Sequence, residues 1–489
     1  MAGQLVGLFR FNRDYVAEFG YNLLYLSMFE KIVSAVNNVI WSPALVILLV
    51  GAGLYFSTRT RFVQLRRIGL MARLLFRKRD KEEEKKGVSS FEAFCIALSG
   101  RVGTGNIVGV ATAIALGGPG AIFWMWIIAF FGASTAYVES TLAQIFKFSH
   151  PTGYRGGPAT YIEKGLKARW MAILFAVVTI LATGLLLPTV QSNGLSAAAL
   201  NSFGVNPLVS GLVLAFILGL VIVGGVKRIA KAASLITPFM AVVYVLISIL
   251  ILALNWKAIP GLLSLIVKNA FGINPLCGGI LGSTIMMGVK RGLFSNEAGQ
   301  GTGAIPSASA DVRHPAEQGL VQAFSVYVDT LLVCTATALM ILSAGTFNIL
   351  DSKTGEMLVA NNPGLGANYV GYTQAAVDSV IGGFGSIFVS VALAFFVFTT
   401  VMAYYFYSES SVMYLCNLKK DFSPKVEKVL IRVLQVIILG SVVFGAIKEA
   451  NTVWTLGDIG VGLMAWVNVV AIIILSPKAF SALKEYENK

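Results

Sequence analysis

Two glycine-rich stretches hold the residues of this chain whose types and spacing could do chemistry. The first, SGRVGTGNIVGVATA, runs from Ser99 to Ala113 and sets Gly100, Gly103, Gly105 and Gly109 among Arg101, Thr104 and Asn106. The second, GGILGSTIMMGVKRGLFSNEAGQGTGAIP, runs from Gly278 to Pro306 and mixes glycine with Ser283, Thr284, Asn296 and Glu297. Both lie where the surrounding residues read as membrane spans. Glycine loosens a helix because it gives up the most backbone entropy on ordering. Unwinding inside a bilayer frees N–H and C=O groups, at several kcal/mol each unless something satisfies them. A bound solute can do that. The half-helix that begins at a break aims its positive end at a carboxylate, and carbonyls left by the other half can hold a cation. This suits a zwitterion together with sodium. Close helix packing is the other use of glycine in membranes, but the charged and polar neighbours here favour unwinding.

The elements that carry these stretches follow from composition. The 489 residues are 56% hydrophobic and only 13% charged, with a mean hydropathy of +0.76, whereas a soluble domain is roughly 25% charged. The chain is therefore an all-α polytopic membrane protein. Its net charge of +14 would point to nucleic acid only on a basic face of a soluble fold, so no nucleic-acid partner is expected. About 20 apolar residues cross a bilayer, and eleven segments qualify: 40–57, 91–116, 119–146, 169–200, 207–226, 230–254, 276–304, 316–344, 381–415, 426–448 and 452–476. The stretches Phe29 to Asn38 and 258–272 are amphipathic and are expected at the bilayer surface. Cys95, Cys277, Cys334 and Cys416 have no metal-site or disulfide spacing and read as packing residues. The N-terminus has no cleavable-leader pattern and is expected to be retained.

Lysine and arginine concentrate in alternate loops: TRTRFVQLRRIGLMARLLFRKRDKEEEKK, Tyr154–Arg169, Lys227–Lys231, Lys290–Arg313 and Lys419–Arg432. By the positive-inside rule these are cytoplasmic, which puts the N-terminus outside and the C-terminus inside a cell membrane. If the first span is set aside, the interrupted segments are the first and sixth of ten and open two halves of five. Halves with an odd number of spans insert in opposite senses, and broken helices at matching positions of such halves point to a secondary transporter. The expected layout is an interfacial segment at 1–39, an extra N-terminal helix and basic loop at 40–90, and a first repeat at 91–254. An outer amphipathic segment at 255–275, a second repeat at 276–476 and a cytoplasmic tail at 477–489 complete it. Counting from Phe91 at 1.5 Å per residue, Ser99 to Gly105 lie roughly 12 to 21 Å deep. The same count from Leu276 brings Thr284 to Gly288 near mid-membrane, with the break placed at Gly282–Thr284 or Gly288–Gly292.

GRVGTGNIVGVATAI, GGPGAIFWMW (Gly117 to Trp126) and RGLFSNEAGQG (Arg291 to Gly301) resemble the signature segments of the alanine or glycine:cation symporter family. The resemblance implies the leucine-transporter-like fold, a five-plus-five inverted repeat with one added N-terminal helix. It also implies sodium-coupled import of small neutral amino acids. Gly103 to Asn106 resemble the unwound run of the first core helix, which makes Gly100, Gly103, Thr104, Gly105 and Asn106 candidate substrate contacts. The implied sodium site joins carbonyls near Ser99 and Val102 to hydroxyls of Thr399 and Thr400 in FFVFTTVMAYY. Arg101 stands where such a pocket has a small residue, so it either points away from substrate or shifts the alignment by a position.

Other polar residues are assigned from their surroundings. Gln191 follows Pro188, which frees the carbonyl four residues earlier, and could bind substrate or repair the helix. Thr284, Met287 and Gly288 are candidate contacts from the second stretch, with Met287 and Phe396 offering bulk against larger side chains. Arg101, Glu139, Asp329, Asn296 and Glu297 take gating or structural duty, because a buried acid or base normally faces a partner or a cavity. Asp458, nearer the outer end of the last span, fits a gate. One cation entering down 100 mV releases about 2.3 kcal/mol, enough to concentrate a neutral solute roughly fifty-fold. Protons are the alternative coupling ion, although carbonyls and hydroxyls suit sodium better. An intramembrane enzyme is a remote alternative: both histidines, His150 and His314, fall in loops. A channel would carry a repeated filter loop, which the chain lacks.

Overall fold

The structure, a computed structural model, describes residues 28, 30–77, 87–151, 153–273, 280–352, 354–418 and 422–488. Cys277 and part of the Phe29 to Asn38 and 276–304 expectations fall outside them. Eight helices are long and apolar enough to cross a membrane, or nine if one bent pair counts as a single span, among the described residues. They are α1 (Glu30–Arg59), the bent pair α2 (Ser90–Arg101) and α3 (Gly105–Gly117), α4 (Ala121–Ile145), α5 (Arg169–Phe203) and, after the 16-residue α6 (Pro207–Ile222), α7 (Gly225–Leu254). The short α8 (Ile259–Ala270) matches the amphipathic segment expected at 258–272. Then come α9 (Leu281–Asn296), α10 (Ala304–Ser309) and the long α11 (Pro315–Ala344). After α12 (Tyr369–Ile381) the chain closes with α13 (Phe384–Cys416), α14 (Pro424–Ile447) and α15 (Ala450–Asn488).

Local chemistry explains the ends that matter. Ser89 and Glu92 form a reciprocal cap on α2, each side chain accepting the other's backbone N–H at 3.1 and 2.7 Å. α2 stops because Val102 turns extended (φ −82°, ψ 94°), and α3 leaves at 50° to it through a wide turn at Gly105–Gly109. α5 widens in the same way at Ala182–Leu186, just ahead of Pro188, whose missing N–H and ring bulk disrupt the regular ladder.

The second interruption does not lie where the sequence placed it. α9 is continuous from Leu281 to Asn296, through both Gly282–Thr284 and Gly288–Gly292. The break follows at Glu297 to Gly303, where Glu297, Gly299 and Gly301 take left-handed φ values of 56°, 96° and 84°. Gly288 instead allows close packing: a side chain there would collide with the Ala121 carbonyl on α4. At 1.5 Å per residue, the 16 residues of α9 span about 24 Å, less than the roughly 30 Å hydrocarbon core. α9 alone is thus shorter than a full crossing, and the break and α10 follow it. Lys290 and Arg291, grouped with a basic loop on sequence, sit inside α9.

α4 packs against α9 and α11, and α5 packs against α13 and α14, so the broken segments are enclosed by helices. Outward faces of α6, α7 and α14 expose Phe216, Leu220, Leu235, Phe239 and Val436, as lipid contact requires. Two hairpins, Phe148–His150 with Gly153–Arg155 and Asn348–Leu350 with Met357–Ala360, lie in segments read as plain loops.

Candidate functional site

The first break is held open by side chains from four other helices. The Thr400 hydroxyl on α13 lies 2.8 Å from the Ser99 carbonyl, 3.1 Å from that of Val102 and 2.8 Å from that of Phe396. It has one proton for three acceptors. Gln191 on α5 accepts the Thr104 N–H through Oε1 at 2.9 Å, while its own carbonyl accepts the Thr104 hydroxyl at 3.2 Å. Gly103 passes so close that an added Cβ would sit 2.6 Å from the Thr400 hydroxyl and 2.7 Å from Gln191 Oε1. Asn106 folds back: its Oδ1 accepts the Gly103 N–H at 2.8 Å and its Nδ2 donates to Asp329 at 2.6 Å. Ser99 also meets Thr237 of α7 through their hydroxyls at 2.6 Å.

The second break faces the first. Gly105 lies against the Phe294 ring and Ser295, and Gly100 against the Glu297 carboxylate and the Tyr407 hydroxyl. Glu139 on α4 fixes the loop, accepting from the Gly299 N–H at 3.2 Å and from Asn468 at 3.0 Å, and Asn468 also donates to the Gly299 carbonyl. Thr302 donates to Glu297 at 3.0 Å. Asp329 accepts from Ser295 at 2.9 Å and Thr330 at 2.7 Å, so with Asn106 it ties the two broken segments to α11. Arg101 turns towards α11, where it donates to Gln322 and Ser325. Among the described residues, Glu139 and Glu297 each keep one buried oxygen without a hydrogen-bond partner.

Near the middle of α9, Lys290 and Arg291 share the Asp458 carboxylate of α15, the lysine at 2.8 Å. The Arg291 guanidinium lies 4.7 Å from the centre of the Trp454 ring and 5.4 Å from that of Phe294. Trp454 reaches Gly109 on α3. This buried cluster therefore packs on α3, Trp454 and Arg291 against Gly109 and Phe294 against Gly105.

The sequence matches the sodium:alanine symporter family over residues 26–489. The chain belongs to that family. The carrier protein YrbD of Bacillus subtilis, whose name refers to sodium/proton-dependent alanine carriage, is 51% identical over 94% of this chain and 92% of its own. GlnT of the same organism, whose name points to a sodium/glutamine symporter, is 44% identical over 94% of this chain and 90% of its own. The sodium/proton-dependent alanine carrier protein of Bacillus sp. (strain PS3) is 47% identical over 83% of this chain and 90% of its own. A member of this symporter family is a multi-pass membrane transporter that moves an amino acid with a cation.

Within this symporter, Ser99, Gly100, Val102, Gly103, Thr104, Gly105, Asn106, Gln191 and Thr400 lie together at the first break. Others do not join them. Thr399 bonds back to the carbonyls of its own helix at Phe395 and Phe396, and the Phe396 ring packs 5.7 Å from that of Tyr244. Thr284 donates to the Gly117 carbonyl at 2.7 Å, and Met287 lies beside Gly117, so both join α9 to α3 away from the breaks. Asn296 caps the turn after α9 by accepting the Ala298 N–H at 3.0 Å. Sequence reasoning missed Tyr404, whose hydroxyl accepts from Gln191 Nε2 at 3.5 Å, together with Tyr407 and Thr237. The first two were readable, because Thr400, Tyr404, Tyr407 and Ser411 recur at the spacing of one helix face.

Proposed function

We propose that this protein imports a small neutral amino acid, alanine or glycine, together with sodium by alternating access. The observation that carries this reading is the single Thr400 hydroxyl set among the carbonyls of Ser99, Val102 and Phe396. One hydroxyl proton satisfies one carbonyl; a cation accepts all the oxygens at once. In this reading Ser99, Val102 and Thr400 hold sodium, with Thr399 turned away in its present rotamer. The substrate carboxylate meets the positive end of α3 near Gly103, Thr104 and Gly105. Gln191 and Asn106 shape the pocket, and Phe294 and Ser295 take the place first given to Thr284, Met287 and Gly288. The five-plus-five inverted repeat, eleven crossings and an outside N-terminus belong to the same proposal, supported by the paired breaks and the alternation of basic loops. The pair of Arg291 with Asp458, roofed by Trp454, then acts as the outer gate.

A second reading, in which protons drive transport, is favoured by the unpaired oxygens of the buried Glu139 and Glu297. Uptake of labelled alanine into proteoliposomes separates the two. An inward sodium gradient at equal pH is expected to drive accumulation, with competition by glycine and little by leucine or glutamine. Accumulation driven only by a pH gradient selects the second reading, and no accumulation under either gradient overturns both.

A further inference from the structure

The loop after α1 builds a cationic cavity that transport does not use. α1 ends at Arg59, the chain reverses through left-handed Arg61 and Phe62 (φ 55° and 52°), and two short helices, Val63–Arg66 and Ile68–Leu75, follow. Phe62 donates its N–H to the Ser57 carbonyl at 2.7 Å, which closes the reversal. The turn brings Arg59, Arg61 and Arg66 around a cavity of about 460 Å³ whose opposite wall, from α15, supplies Phe480, Lys484 and Glu487. Charge there is unbalanced. Glu487 accepts Arg66 at 2.7 Å and Arg67 at 3.0 Å, and Arg59 lies 5.6 Å from the Phe480 ring centre. Among the described residues, Arg61 and Lys484 have no carboxylate partner.

We infer that this cavity binds the phosphodiester headgroup of an anionic phospholipid such as phosphatidylglycerol. Cationic pockets between helices at the end of a span fit such headgroups through charge complementarity. Exposed apolar side chains on the segment that carries Arg61 and Arg66 decide between a lipid and a free phosphate. Phe62, Leu65 and Ile68 are 37%, 54% and 47% exposed on the same short segment, beside the end of a membrane helix. These side chains offer acyl chains a surface next to the cations that take the headgroup. The lipid would join the added N-terminal helix to the last turns of α15.

The test uses the full-length protein in detergent micelles and needs no gradient, so its outcome is independent of the transport reading. Phosphatidylglycerol, phosphatidylcholine of the same chain length, glycerol 3-phosphate and inorganic phosphate are each titrated. Bound adducts are counted by native mass spectrometry and the unfolding midpoint is followed. Only phosphatidylglycerol is expected to stay bound and to raise the midpoint. With each cation near a surface contributing about a fivefold factor, R61Q/K484Q is expected to bind it about 30-fold more weakly. R61K/K484R, which keeps both charges, is expected to bind as the unaltered protein does. Equal retention of phosphatidylcholine, equal binding of free phosphate, or undiminished binding by R61Q/K484Q each overturns the assignment. Should R61Q/K484Q fail to fold, the comparison of the four ligands on the unaltered protein still decides.

Discussion

Replacing Thr400 by valine keeps the shape of the side chain and removes the one oxygen that α13 directs at the Ser99 and Val102 carbonyls, now 2.8 and 3.1 Å away. Two effects follow for a cation seated there. It loses one oxygen ligand, and the carbonyls face a methyl group when the ion leaves. Removing one partner from a buried polar contact costs about 1–3 kcal/mol, and each 1.4 kcal/mol is about tenfold in affinity. The sodium concentration for half-maximal alanine uptake is therefore expected to rise between about 5-fold and 150-fold. Serine in place of Thr400 keeps the hydroxyl and should leave that concentration within about threefold, which corresponds to well under 1 kcal/mol. The assay is initial-rate uptake of labelled alanine into proteoliposomes at fixed membrane potential across a sodium series. A folded, active T400V protein with an unchanged sodium requirement would refute the ion assignment. A serine variant as impaired as the valine one would refute the argument from the hydroxyl.

Gln191→Leu removes the acceptor of the Thr104 N–H, and the same 1–3 kcal/mol range predicts an alanine KM raised roughly 5- to 150-fold at saturating sodium, read from the alanine dependence of uptake. Asp458→Asn leaves Lys290 and Arg291 buried without their shared carboxylate, at about 3–5 kcal/mol, so the unfolding midpoint in detergent should fall clearly; an unchanged midpoint counts against the buried pair. Gly288→Ala collides with the Ala121 carbonyl and Trp124, with an expected penalty of about 1–3 kcal/mol in thermal unfolding. Gly282→Ala, on the same helix but facing open space, should be neutral or slightly stabilising, because alanine is the better helix former.

Hydropathy located most of the architecture because lipid demands long apolar runs whatever the packing inside. It failed where that demand is relaxed. α6 and α9 have only 16 residues each, and α9 runs into irregular chain that neighbouring helices bury. The segment 345–380 holds a hairpin and α12, whose short elements carry no sustained periodicity to read. Partners of the buried acids were legible by type and not by identity. Asp329 takes one hydroxyl from its own neighbour Thr330, but nothing local says that the other comes from Ser295, or that Asn106 completes the set. Asn106 and Asp329 are 223 residues apart, and only the folded helix bundle specifies such a pair.

The misplaced second break follows from treating all its glycines alike, although their spacing separates them. Gly288 and Gly292 are four apart, so both fall on one helix face, where they let α4 approach: added side chains would meet Ala121 and Ile128. Gly299, Gly301 and Gly303 are two apart. A helix would point such residues in widely separated directions, so no single packing seam can use them all. Their spacing fits chain that has left the helix, and Gly299 and Gly301 take φ values of 96° and 84°. The first stretch obeys the same rule: Gly103 and Gly105, two apart, bracket the point where α2 gives way to α3, while Gly109, four further on, lies back in helical chain against Trp454. Glycine count therefore marks the segments, and the interval between glycines distinguishes close approach from unwinding.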